Sequence, residues 1–99
     1  MKNVIYKLNK TFENRVRLGI MSVLMANDAV DFNTLKETLQ LTDGNLASHA
    51  AALEKAGYVQ IEKRFIGKKP NTTFSASKDG KTAFQEHLQA LEELIKSQQ

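Results

Sequence analysis

The polar side chains at the start of the segment 43–56 are of types that hydrogen-bond to the edges of DNA bases. Thr42 can cap a helix there, and Asn45 and Ser48 project from its first turns. Such a helix can lie in the major groove, where donors and acceptors distinguish the base pairs. His49 stands at the border of the polar face and either contacts DNA or packs half-buried. The residues of this helix that we expect to contact DNA are Thr42, Asn45, Ser48, His49, Ala52 and Lys55.

A basic hairpin is predicted directly after this helix. Two β-prone runs, 58–65 and 72–77, flank the turn formers Gly67 and Pro70-Asn71. Basic residues outnumber acidic ones in this part of the chain, so the hairpin is either a phosphate-binding wing or a solvated, lysine-rich loop. The residues of the hairpin that we expect to contact DNA are Lys63, Arg64, Lys68, Lys69 and Thr72.

Two earlier helices would position the polar helix. The segment from Asn9 to Ala26 has two apolar stripes at helical spacing, and one stripe would face the core. After a short extended segment at 31–32, Asn33 can cap a helix from Thr34 to Gln40. Only Leu41-Thr42 separates that helix from the polar one, which is the spacing of a helix-turn-helix.

The last predicted helix runs from Lys78 to Lys96, with Ser77 as its cap. Its apolar positions spread over about 160°, wider than the roughly 100° stripe of a helix that only covers its own core. The width predicts a dimer, with the partner's first helix or its arm Val4-Ile5-Tyr6 against this face. His87 is more simply explained as a hydrogen-bonded interface residue than as a pH sensor. The residues expected at the interface are Phe84, His87, Leu88, Leu91, Leu94 and Ile95.

Length and composition bound the remaining possibilities. The chain has 99 residues, which we interpret as a single domain over 1–99, and a formal net charge of +3. It has no cysteine, and no second histidine lies at helical spacing from His87, so we expect no metal site and no cofactor. Neither a phosphate loop nor a nucleophile elbow is present, which argues against an enzyme. The amino terminus is too short and polar for a signal peptide, no segment is apolar enough to span a membrane, and we expect a cytoplasmic location.

The chain resembles the winged helix domains of bacterial MarR- and ArsR-type transcriptional regulators, most closely a short, single-domain group. The resemblance covers about Leu8 to Leu91 and implies an α+β winged helix-turn-helix fold. In the positions where the family usually has basic residues on the recognition helix, this chain has Ala51-Ala52. The pattern that carries the resemblance consists of Gly44-Asn45-Leu46, His49, Leu53-Glu54, Ala56-Gly57-Tyr58-Val59, Lys63, Phe65, Gly67-Lys68, Pro70 and Thr72.

The resemblance implies a bacterial, homodimeric transcriptional regulator that binds double-stranded DNA. The helix 43–56 would enter the major groove, and the wing 63–72 would lie on the backbone or in the minor groove. A two-fold dimer implies a pseudo-palindromic operator. The alanine-rich recognition helix leaves one alternative, a protein-interaction adaptor that does not bind DNA. A small-molecule effector would have to bind between the subunits, and no residue pattern supports one.

Overall fold

A computed structural model describes residues 4–98. Its four helices and three strands confirm the predicted α+β winged helix architecture. Two short 3-10 helices, Val4–Lys7 and Lys10–Phe12, form an N-terminal arm that precedes the main elements. These are, in order, α1 (Arg15–Met25), β1 (Val30–Asp31), α2 (Phe32–Leu39), α3 (Asp43–Lys55), β2 (Val59–Ile66), β3 (Lys69–Ala76) and α4 (Lys78–Lys96).

The first helix is shorter than predicted. It starts at Arg15, because the side-chain oxygen of Asn14 accepts from the backbone N–H groups of Val16 and Arg17. Asn9 caps the preceding 3-10 helix in the same way, through the N–H of Thr11. The prediction of one continuous helix from Asn9 was therefore wrong: the two asparagines each start a separate element.

The second helix is capped by Asp31, so the predicted cap at Asn33 was wrong. The Asp31 carboxylate accepts from the Thr34 N–H at 2.8 Å, and this hydrogen bond holds the pKa of Asp31 below its usual value. The helix therefore begins at Phe32. It ends at Leu39, and the cap residue Gln40 has a left-handed φ of 53°. The extended segment predicted at 31–32 is present one residue earlier, as β1, and Phe32 belongs to α2.

The third helix begins and ends as its caps predict. The Thr42 hydroxyl accepts from the Asn45 N–H at 3.1 Å. At the other end Gly57 has a φ of 84°, the left-handed conformation that glycine favours. The N–H of Gly57 bonds to the Glu54 carbonyl, and the N–H of Tyr58 bonds to the Leu53 carbonyl. This pair of bonds is a Schellman motif, and it turns the chain directly into β2.

The three strands form an antiparallel sheet in the order β1-β3-β2. The long hairpin of β2 and β3 closes through a two-residue turn, Gly67-Lys68, with Ile66 paired to Lys69. Gly67 has a φ of 64°, as expected for the first central position of a type II′ turn. Pro70 and Asn71 were predicted to lie in the turn but belong to β3.

Pro70 can sit in a strand because of where it falls in the register. In a two-residue hairpin the closing pair is hydrogen-bonded, so the next pair, Phe65 and Pro70, is not. The Pro70 nitrogen then points away from β2. On that side β1 pairs only with Thr73 and Phe74, so no ladder hydrogen bond is lost.

The core lies between α1, α3, the sheet and the start of α4. Both apolar stripes of α1 contribute to it, because Met21 is as fully buried as Ile20 and Leu24. Phe12, from the N-terminal arm, packs edge-on against Phe84 of α4. The other fully buried large side chains are Leu35, Leu46 and Leu53.

Candidate nucleic-acid interface

The third helix buries one face and leaves the other exposed. Leu46, Ala50 and Leu53 are buried against α1 and the sheet, as their spacing predicts. His49 is half-buried at the edge of this face. The exposed residues are Asp43, Gly44, Asn45, Ala47, Ser48, Ala51, Ala52, Glu54 and Lys55. The outward surface of α3 therefore has small side chains along its middle, and its polar groups are concentrated near its two ends.

A salt bridge joins the two helices of the helix-turn-helix. Lys36 Nζ on α2 lies 2.8 Å from the carboxylate of Asp43 in the first turn of α3. The hydrogen bond and the charge of Asp43 raise the pKa of Lys36. Both groups are partly exposed, so the pair contributes little to stability but restrains the start of α3 relative to α2.

Arg17 supports the recognition helix from α1, a role that the sequence did not indicate. Its Nη1 lies 3.2 Å from Nδ1 of His49, and its Nε donates to the Thr11 carbonyl at 2.6 Å. Since a guanidinium can only donate, His49 accepts through Nδ1. This contact favours the half-buried alternative for His49 over a free DNA contact. The feature of the sequence that could have indicated this role is the position of Arg17 between the apolar stripes of α1.

The register of the wing divides its basic residues between two faces. Side chains alternate along a strand, so Lys63 and Phe65 share a face with their partners Thr72 and Pro70. Arg64 and Lys69 point to the opposite face, and Arg64 lies 3.8 Å from the carboxylate of Glu62. Lys68 stands in the turn. The residues expected to act as one basic surface are thus split, and only the Lys63 side faces α3.

A groove of about 550 Å³ separates α3 from the wing. Ala47, Ala51 and Glu54 line it from the helix, and Lys63 and Thr72 line it from the strands. Phe32, Ile61 and Phe74 form the rest of its wall. Small side chains and the Glu54 carboxylate thus bound the groove on the helix side, and Lys63 and Thr72 bound it on the strand side.

The last helix has an inner and an outer apolar region. Phe84 and His87, expected at a subunit interface, are buried in the domain's own core. His87 Nδ1 accepts from the Asn9 N–H at 3.0 Å, and its ring packs edge-on against Phe12. The chain itself thus already covers these two side chains. Of the residues expected at the interface, Leu88, Leu91, Leu94 and Ile95 remain available to a second subunit. Leu94 is half-buried and the other three are exposed.

Other kinds of site find no support in the described part of the chain. Within residues 4–98 no three side chains of histidine, aspartate or glutamate are grouped so that they could hold a metal ion. No helix of that range is long and apolar enough to cross a membrane.

Comparison with known proteins agrees with this geometry. Residues 16–95 match the family described as winged helix DNA-binding domain. The uncharacterized protein MJ0432 of Methanocaldococcus jannaschii is 35% identical over 88 residues, which cover 89% of this chain and 96% of that protein. The transcriptional regulator homologue of Pyrococcus horikoshii OT3 superposes with a TM-score of 0.81 at 33% identity, covering 88% of this chain and 86% of that one.

The fold is also that of a protein solved in complex with DNA. The MepR–DNA complex of S. aureus has a TM-score of 0.72 at 12% identity, over 90% of this chain and 76% of that chain. The expected bacterial origin finds no support here, since the 35% identical relative is archaeal. The resemblance to winged helix transcriptional regulators is thus confirmed. The chain belongs to the winged helix DNA-binding domain family.

Proposed function

We propose that this protein is a sequence-specific, homodimeric transcriptional regulator without enzymatic activity, acting on double-stranded DNA in the cytoplasm. The observation that carries the proposal is the shared orientation of two surfaces. The exposed face of α3 and the Lys63 face of the wing border the same groove. A DNA duplex laid on α3 would thus bring its flanking backbone to the wing.

The dimer would place one α3 in each of two successive major grooves. Two-fold symmetry then requires a pseudo-palindromic site with half-sites about 34 Å apart. Selection of bound duplexes from a random pool tests this arrangement directly. Recovered duplexes should share an inverted repeat of that spacing. Recovery of unrelated sequences, with affinity that does not depend on salt, would instead favour the protein-interaction adaptor.

Asn45 should contribute to sequence discrimination. Its backbone N–H is bonded to Thr42, while its side chain is exposed in the first turn of α3 and free to read a base. An amide can bond bidentately to adenine in the major groove. Replacing Asn45 by alanine should cost about 1–3 kcal/mol at the selected site and much less on random DNA. Fluorescence anisotropy with both duplexes measures the difference, and equal losses would show that Asn45 only positions the protein.

The two faces of the wing should differ in their effect on salt dependence. Lys63 borders the groove, so Lys63→Ala should remove one phosphate contact and lower the slope of log affinity against log salt by about one. Arg64→Ala serves as the matched control, because Arg64 is on the other face and lies near Glu62. Equal changes in slope for the two variants would show that the assigned face of the wing is wrong.

A further inference from the structure

The tip of the wing carries two exposed apolar side chains. Phe65 is 73% exposed and Ile66 is 60% exposed, although each is large enough to fill a core position. The tip extends beyond β1, which pairs only with Thr73 and Phe74, so the chain cannot cover them there. Lys63 and Lys68 flank the pair along the chain. A bulky ring on a cationic protrusion is suited to an anionic partner that also offers apolar surface.

The register places the two residues on opposite faces. Phe65 shares the groove face with Lys63 and Thr72, and it lies farther from the core than either. Ile66 pairs with Lys69 at the turn and points to the far side. Phe65 is therefore the apolar side chain that a duplex lying on α3 would meet.

The spacing fits the grooves of DNA. Two residues along a strand span about 6.6 Å, and the minor groove is about 6 Å wide. If Lys63 contacts the phosphates that border the major groove, Phe65 reaches the adjacent minor groove. Apolar side chains, phenylalanine among them, can enter that groove and partly unstack a base step.

The recognition helix α3 offers few side chains that can read bases, so another part of the protein has to contribute to specificity. Its outward face is largely alanine, serine and glycine, so Asn45 and Ser48 supply most of the groups that can read bases. Discrimination by base-edge hydrogen bonds is correspondingly limited. A site can also be selected by how easily its DNA deforms, and pyrimidine–purine steps deform most readily.

We propose that Phe65 is a minor-groove wedge that reads the deformability of the base step flanking each half-site. The proposal rests on the proposed function and adds a specificity determinant to it. The ring would insert against a pyrimidine–purine step and unstack it in part. The preferred operators would then carry such a step on the outer side of each half-site, at a position that α3 does not touch.

The test uses the full chain and a duplex recovered by selection, with 2-aminopurine placed at the flanking step. Wild-type protein should raise the 2-aminopurine fluorescence, because unstacking relieves its quenching. Phe65→Ala should abolish that rise and weaken binding by roughly tenfold to a hundredfold, as loss of an aromatic stack on a base does. Phe65→Ala should leave the slope of log affinity against log salt unchanged, since no phosphate contact is lost. Phe65→Leu, which retains an apolar wedge, should keep part of the rise.

Ile66→Ala is the matched control, with a similarly exposed side chain on the opposite face. The affinity of this variant for the duplex should stay within about twofold of wild type. It should raise the 2-aminopurine fluorescence as much as wild type does. Both alanine variants should fold, because both side chains are exposed, and circular dichroism checks this. Wild-type binding without a fluorescence rise, or equal losses for the two alanine variants, would overturn the wedge alone. Absence of wild-type binding to any duplex would overturn the proposed function, and the wedge with it.

Discussion

Replacing Gly80 by alanine should destabilise the fold by about 3 kcal/mol or more. Gly80 is buried in the first turn of α4, directly against the backbone of Tyr58. A Cβ atom there would lie 2.8 Å from the Tyr58 carbonyl carbon and 2.9 Å from its Cα, and closer still to the carbonyl oxygen. Backbone cannot rotate away as a flexible side chain can. The cost should reach or exceed the upper end of the roughly 1–3 kcal/mol typical of overpacked cores.

The clash falls where four parts of the chain are joined. Ser77 donates its N–H to the Tyr58 carbonyl at 2.9 Å and its hydroxyl to the Gly57 carbonyl at 2.6 Å. The Tyr58 hydroxyl in turn accepts from the side chain of Asn9. Moving α4 away from Tyr58 would therefore strain the end of α3, the start of β2 and the N-terminal arm together.

Thermal unfolding followed by circular dichroism measures the effect. A loss of about 3 kcal/mol should lower the Tm of a domain this size by more than about 10 °C. Gly44→Ala is the matched control, because a Cβ there meets nothing within 4 Å and alanine is the better helix former. It should melt at or slightly above the wild-type temperature. A Gly80→Ala protein that melts within about 3 °C of wild type would show that α4 docks more loosely than the structure indicates.

Local signals explain which parts of the fold could be predicted from the sequence. Thr42 and Ser77 both cap the helices that they were expected to cap. Asn9 and Asn14 compete as helix starts, as do Asp31 and Asn33. Such choices depend on tertiary packing of the residues that follow, for instance of Phe12 in the core.

The pairing of residues between the two strands of the wing could not be assigned from the sequence. Pro70-Asn71 is a common turn pair, yet Gly67-Lys68 forms the turn because glycine supplies the positive φ that a two-residue hairpin needs. Which residues share a face follows from the register, which shifts with the position of the turn. The composition of the wing thus predicted a basic hairpin, but not that Thr72 and Pro70 of β3 share the face of Lys63 while Lys69 shares that of Arg64.

Long-range contacts account for the rest of what the sequence left open. The contact of Arg17 with His49 joins residues 32 positions apart, and the bond from Asn9 to His87 spans 78. No periodicity encodes such pairs. The breadth of the apolar face of α4 was taken to indicate a dimer, which stays a prediction. It did not reveal that the N-terminal arm already covers the inner part.

The outer part of that face should form the dimer. At about 100° per residue, Leu88, Leu91 and Ile95 fall on one stripe of α4 beside the buried Phe84. Ile95 is 63% exposed and lies in the last turn, where α4 extends past the core. The arm packs along the same helix, where Lys7 Nζ lies 3.1 Å from the Glu93 carboxylate. Ile5 and Tyr6 of the arm are also exposed. These side chains together offer a second subunit an apolar surface.

Ile95→Glu should dissociate such a dimer. A carboxylate buried in an apolar interface loses its hydration and gains no partner, which costs several kcal/mol. Dimer affinity should thus fall by about a hundredfold or more, since about 1.4 kcal/mol corresponds to a factor of ten. The folded monomer should persist, because Ile95 is outside the core. Gln85→Glu is the matched control, since it adds the same charge to the solvated side of the same helix.

DNA binding should fall together with dimerisation. A dimer that holds one half-site presents the second α3 to the other half-site at high effective concentration, an advantage of about 10²–10⁴ that a monomer lacks. Ile95→Glu should therefore weaken binding to a two-half-site duplex by two orders of magnitude or more, and to a single half-site by little. Sedimentation and anisotropy on the same preparations link the two effects. A wild-type protein that sediments as an 11.1 kDa monomer at micromolar concentration would contradict the dimer and, with it, the two-fold symmetric operator.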